Sequence, residues 1–190
     1  MYLIKQNSRN DPGKTKIKKE TFNMKKILSV VIAAMLLVCM MVPAMAEGIK
    51  LGQSIFAAHG TKCFAVITVA MDGDKIADAH IDEFQMMAAD TSIGVPNSAV
   101  MIEVEGKVLG SKRQNAEAYS ANMQKAGSTV AINVNYDTIE AYVTGKTVAE
   151  LEAEVAGKTA EEMVDAVAGC TLVDTLGYIN GIIEAAKNAQ

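Results

Sequence analysis

Tryptophan is missing from the 190 residues, and histidine, proline and cysteine are scarce at two, three and three. The two histidines, His59 and His80, match no zinc-ligand spacing and read as surface or strand residues. No Ser-His-Asp set is legible, so the chain shows no ready-made hydrolase constellation. Of the three cysteines only Cys63 and Cys170 fall beyond residue 46, and one pair is no disulfide framework. A bridge between them and two partly buried thiols are both open, because the apolar content is high enough to pack a core without staples.

Basic residues are also scarce past residue 46. Residues 1–46 hold 8 of the 18 Lys and Arg but only 2 of the 22 Asp and Glu, leaving 10 basic and 20 acidic groups, a net charge of -10. Such a polyanion repels nucleic acid and anionic lipid headgroups, which excludes both as partners.

The front of the chain has a different character. "MKKILSVVIAAMLLVCMMVPAMA", residues 24–46, sets two lysines before an apolar run, then Pro43 and Ala44-Met45-Ala46. This is the layout of a secretory signal peptide cut before Glu47. The competing reading is an uncleaved membrane anchor, since the run approaches the ~20 residues that span a bilayer. Small residues just after the proline favour cleavage, and only an uncut leader would tie the protein to a membrane. Val38 before Cys39 is too bulky for a lipidation site. Residues 1–23 are polar and lysine-rich; they extend the positive flank or precede a true start at Met24. The division is therefore a leader over 1–46 and one domain over 47–190.

Within that domain, residues 64–84 read as a β-hairpin. Ile67, Val69 and Met71 alternate with Val66, Thr68 and Ala70; Asp72-Gly73-Asp74 turns the chain, and Ile76, Ala77, Ala79 and Ile81 continue. "MIEVEGKVL" predicts a shorter strand pair turned at Gly106. A helix is expected from Ser111 to Gly127, with Ala116, Tyr119 and Met123 on one face. Val130, Ile132, Val134 and Tyr136 return to period two and predict a third strand region.

A local repeat follows. "GKTVAELEAEVA" from Gly145 is succeeded by "GKTAEEMVDAVA" from Gly157, each with a capping box, Thr147 with Glu150 and Thr159 with Glu162. Neither Gly-Lys-Thr belongs to a phosphate loop, because Glu140 and Glu152 stand where its first glycine is required. A last helix starts near Asp174 as N-cap, buries Leu176, Ile179, Ile183 and Ala186, and carries Gly177 and Gly181 as a smooth face. The fold class is α+β: antiparallel β-hairpins, then a helix-rich C-terminal third.

Between the second repeat copy and the last helix lies Asp165-Ala166-Val167-Ala168-Gly169-Cys170-Thr171. On spacing alone this is a helix stop at Gly169 and a new start assisted by Thr171. The stretch also resembles the C-terminal motif of the extracytoplasmic FMN-binding domain family, related to flavin-carrying subunits of bacterial ion-pumping redox complexes. That pattern is an aspartate, two variable residues, Ser/Thr-Gly-Ala-Ser/Thr, then a helix. Asp165, Gly169 and Thr171 fall on it; Ala168 and Cys170 depart from it. "ITVAMDGDKIADAHIDE" is similar to the family's hairpin and "LGYINGIIEAA" to its closing helix, so the likeness covers most of residues 63–187.

The resemblance implies that Thr171 carries FMN, joined through its phosphate by a flavin transferase that uses FAD as donor. Gly169 would let backbone and phosphate approach closely, and the following helix N-terminus would offer N–H groups to the phosphate. Asp165 would hydrogen-bond the loop backbone or assist the transferase. Gln85, Met86, Met87 and Tyr178 are candidate contacts to the flavin ring, with ordinary core filling as their bland alternative. Ala168 lacks a hydroxyl that could bond the phosphate, and Cys170 adds bulk and is a candidate partner for Cys63. The implied protein is a secreted electron carrier without an organic substrate of its own, meeting the transferase and extracytoplasmic redox proteins. The alternative is a secreted binding or structural module that keeps the fold without flavin.

Overall fold

Gly73, at φ 61°, turns strand β2 (Cys63–Asp72) back onto β3 (Lys75–Ala88) in the computed structural model, which describes residues 48–190. The leader and Cys39 lie outside the described residues. Ala65, Ile67 and Val69 of β2 and Ile76, Ala79 and Ile81 of β3 are buried on one sheet face, as the alternation requires. A register shift between Ala70 and Met71 leaves Ala77 as the extra residue of a bulge. Strands β1 (Lys50–Phe56) and β4 (Lys107–Ser111) complete a four-stranded antiparallel sheet in the order β1-β2-β3-β4.

Two expected strands are corrected. Of "MIEVEGKVL", only the part after Gly106 is a strand. Ser98–Ile102 forms the short helix α1, and β4 pairs along β3 from Phe84↔Ser111 to Ala88↔Lys107. The long β3 already offers a free edge, so β4 needs no partner from the segment before it. The period-two stretch around Ile132 is helix α3 (Ile132–Val143). Its buried residues, Ile132, Tyr136, Ile139 and Val143, follow helical spacing, whereas Val134 is 47% exposed. Every second residue over a short run satisfies both periods; Ile139 and Val143 break the tie.

The helix expected from Ser111 begins later, as α2 (Ala116–Lys125). Ser111 ends β4, and its hydroxyl and carbonyl accept from the N–H groups of Gln114 and Asn115 at 3.0 and 3.1 Å, closing a turn first. Ala116, Tyr119 and Met123 do pack on the core. Both repeat copies become helices, α4 (Val148–Val155) and α5 (Ala160–Ala166), each with its capping box formed.

Helix α6 (Thr175–Lys187) crosses β1 and β2, while α3 covers β3, so both helices share the buried sheet face. Gly52 of β1 is needed for that contact: a Cβ there would lie 1.9 Å from the Ala185 carbonyl oxygen of α6. The Ser54 hydroxyl of β1 donates to the Gly181 carbonyl at 2.7 Å. Asp174 holds the N-cap position without a side-chain cap bond, contrary to expectation, because its carboxylate is bonded to the His59 ring instead. Among the described residues, no helix is long and apolar enough to cross a membrane.

Candidate functional site

Helix α5 stops at Ala166, and the chain bends through Gly169 at φ 93° before α6 begins. Val167 and Cys170 point into the core from this bend, which leaves Ala168, Gly169 and Thr171 exposed. The buried Cys170 Sγ sits 3.1 Å from Thr175 Oγ1, and the Thr175 hydroxyl donates to the Leu172 carbonyl at 2.6 Å. The Thr175 N–H donates to the same carbonyl at 3.1 Å, so one of the first-turn donors expected for a phosphate is taken.

Thr171 is fixed from below by α3. Its backbone N–H donates to Asn135 Oδ1 at 2.7 Å, and its hydroxyl lies 3.3 Å from the same oxygen. Asn135 is fully buried; its amide donates to the carbonyls of Val130 and Ala131 at 3.2 and 3.1 Å. The start of α3 therefore sets the position of the threonine.

Beside Thr171 opens a cleft of about 450 Å³. This is within the ~300–1,000 Å³ of small-molecule sites. Leu172 and Val173 form one wall, Tyr119 and Met123 of α2 another. His59 and Asp174, bonded through Nδ1 and Oδ2, stand at the exposed rim. The buried Lys112 and Tyr178 form the floor.

Under that floor lies an ion pair. Lys112, in the turn after β4, is 1% exposed and bonds Oε2 of Glu83, which is 0% exposed on β3. The hydroxyls of Tyr178 and Tyr136 donate to the same oxygen at 2.7 and 3.0 Å, and the Tyr119 ring lies 4.8 Å from Lys112 Nζ. Glu83 Oε1 is buried without a hydrogen-bond partner. Burial acts to raise the Glu83 carboxyl, but the Lys112 charge and the hydrogen bonds from Lys112 and Tyr178 outweigh it and hold the group below its ordinary value. Burial likewise opposes charge on Lys112, and the Glu83 carboxylate more than reverses this, holding the ammonium above its usual range. Burial first raises both tyrosines well above ordinary phenols, followed by the Glu83 charge at Tyr136 and by Tyr136 and then Glu83 at Tyr178, so both stay protonated donors.

Cys63 lies across the same carboxylate. Its thiol donates to the His59 carbonyl at 2.6 Å, and burial, then the Glu83 charge, push it up to about 11. Both Cys63 and Cys170 are free thiols, which leaves no bridge between them.

Of the residues marked in the sequence, Thr171 and Tyr178 meet in this cleft, and Gly169 and Cys170 shape the bend beside it. The Tyr178 hydroxyl is consumed by Glu83. Asp165 is exposed on α5, and Asn135 rather than Asp165 holds the loop backbone. Gln85 and Met86 line two adjoining clefts, one with Met87 and the other with Cys63; Tyr119 and His59 stand between these and the Thr171 cleft. Asn135, Lys112 and Glu83 carry no local sequence signal; His59 is the exposed surface residue expected of it, and it also bonds Asp174 at the rim. Among the described residues, no group of three His, Cys, Asp or Glu could hold a metal ion. Compared with protein-family models, curated proteins and solved structures, the chain finds no match in any of the three.

Proposed function

We propose that this chain is an extracytoplasmic electron carrier that holds FMN as a phosphodiester on Thr171. The observation that carries the reading is the Thr171 hydroxyl, exposed on a glycine bend and bordering a cleft of about 450 Å³. A hydroxyl sealed in the core would be beyond the reach of a transferase; this one is not.

The residues present fit the group. The bulk of Cys170, one of the two departures from the family pattern, faces the core and not the cleft. Gly169 has only Thr138 Cγ2, at 3.7 Å, near the position of an added Cβ, so the bend is open to an incoming phosphate. Leu172 and Met123 supply apolar walls for a planar ring.

When bound, FMN supplies the two-electron chemistry. The chain's own groups hold and surround it. Asn135 fixes the acceptor oxygen, the apolar walls exclude water, and Lys112 brings a positive charge to the floor. A net charge of -10 over residues 47–190 steers the carrier toward basic faces on extracytoplasmic redox partners. The flavin transferase is the other partner: with FAD as donor, the Thr171 oxygen bonds to the FMN phosphorus, the FAD pyrophosphate bond breaks, AMP leaves and the hydroxyl proton passes to solvent.

Co-expression with an active flavin transferase tests the reading. A fluorescent band in a denaturing gel that vanishes in Thr171→Ala supports it; a colourless wild-type band refutes it. The second reading, a secreted binding or structural module without flavin, draws on Ala168, which stands where the family pattern has a hydroxyl.

A further inference from the structure

Lys112 and Glu83 are the only charged side chains among the described residues that are buried. A buried ion pair is a poor choice for stability alone, because packed apolar residues of similar volume often serve as well or better. This pair is also held in one arrangement. Two tyrosine hydroxyls fix Glu83 Oε2, and the Tyr119 ring covers the ammonium.

Its position relative to the cleft is asymmetric. Lys112 lines the cleft that Thr171 borders, whereas Glu83 lies behind Lys112 and does not line it. An ammonium has three N–H donors, and Glu83 Oε2 takes one. A molecule in the cleft therefore meets the positive end of the pair first and the carboxylate at one remove.

We propose that Lys112, opposed by Glu83, sets the reduction potential of the flavin held in this cleft. The proposal rests on the flavin reading of Thr171. A flavin ring that takes two electrons and one proton from solvent gains one negative charge. In a buried, low-dielectric setting a nearby ammonium lowers the energy of that charged form, and a carboxylate raises it. Lys112 thus favours electron uptake, and Glu83 moderates the effect.

The two charges make opposite predictions, which separates this role from a structural one. Purified, flavinylated wild type, Lys112→Gln and Glu83→Gln are titrated anaerobically with dithionite against a reference dye. The potential is expected to shift negative in Lys112→Gln and positive in Glu83→Gln. General loosening of the cleft would move both variants in one direction. Should Lys112→Gln fail to fold, Lys112→Arg, which keeps the positive charge and is expected to leave the potential unshifted, takes its place beside Glu83→Gln and its positive shift. Flavin attached normally but with potentials unshifted in the glutamine variants, or shifted the same way in both, overturns this inference alone. Absence of flavin from the wild-type protein overturns the proposed function and this inference with it.

Discussion

Thr171 hangs from Asn135: the threonine N–H donates to the buried Asn135 Oδ1 at 2.7 Å, and the hydroxyl lies 3.3 Å from that oxygen. One amide on α3 thus sets the place of the residue on which the functional reading depends, and it is 36 positions away in the chain. Asn135→Ala removes this tether and the two bonds to Val130 and Ala131. The expected loss of stability is about 1–3 kcal/mol, the range for leaving buried polar groups without partners. Flavinylation by a transferase should slow although the acceptor hydroxyl is untouched. Urea denaturation and the time course of flavin incorporation check both; an unchanged incorporation rate would show that the tether does not position the hydroxyl.

Stability should depend on pH through Glu83 and Lys112. The folded state holds the Glu83 carboxyl below its ordinary 4.5, so the unfolded chain takes up that proton first as pH falls. The contribution of Glu83 is present above about 4.5 and is lost as pH falls through the lower folded value. Lys112 is held above its ordinary 10.5, so its contribution is present below that value and is lost as pH rises through the folded one. Glu140 acts in the opposite sense, since burial raises it against the pull of the Ile81 N–H and Arg113, and protonating it on the way down favours the fold. Glu83→Gln should lower the stability at pH 7 by roughly 3–5 kcal/mol, as for other broken buried pairs. It should also flatten the acid limb. Urea midpoints at pH 7, 4 and 3 test this; parallel acid limbs in wild type and variant would contradict it.

Cys63 should resist alkylation in the native protein. A thiol raised from 9.0 to about 11 has about a hundredfold less thiolate at pH 8. Burial is the first cause and the Glu83 charge the second, so Glu83→Gln should speed the reaction of Cys63 with iodoacetamide while the fold persists. Peptide mapping after timed alkylation gives the rate. Equal rates in the two proteins would mean that the carboxylate does not reach the thiol.

The sequence was most readable where neighbours in the chain settle the structure. The Gly73 hairpin and the two Thr-Glu capping boxes need only residues a few positions apart, and each formed as expected. Strand β1 was not legible because its pattern is inverted. Leu51 and Ile55 face outward, while Gly52 and Ser54 face inward, where α6 passes too close for larger side chains. The α3 segment misled because Ile132, Val134 and Tyr136 fit period two over a span too short to exclude a helix. At the site, the helix stop at Gly169 could be read from local chemistry, whereas Thr171, expected to help start the next helix, bonds Asn135 and leaves the N-cap of α6 to Asp174. The floor could not be read this way: Glu83 and Lys112 are 29 residues apart, Tyr178 lies 95 from Glu83, and nothing near either charge marks it for burial.

The account stands on the oxygen of Thr171, and the most direct measurement is peptide-level mass spectrometry of the chain purified from cells that also make an active flavin transferase. The predicted result is a peptide spanning Gly169 to Thr175 whose mass is raised by one FMN phosphodiester, with fragment ions assigning it to Thr171, and no such peptide from Thr171→Ala. An unmodified Thr171 peptide, alongside a known acceptor fully flavinylated by the same transferase, would contradict the account.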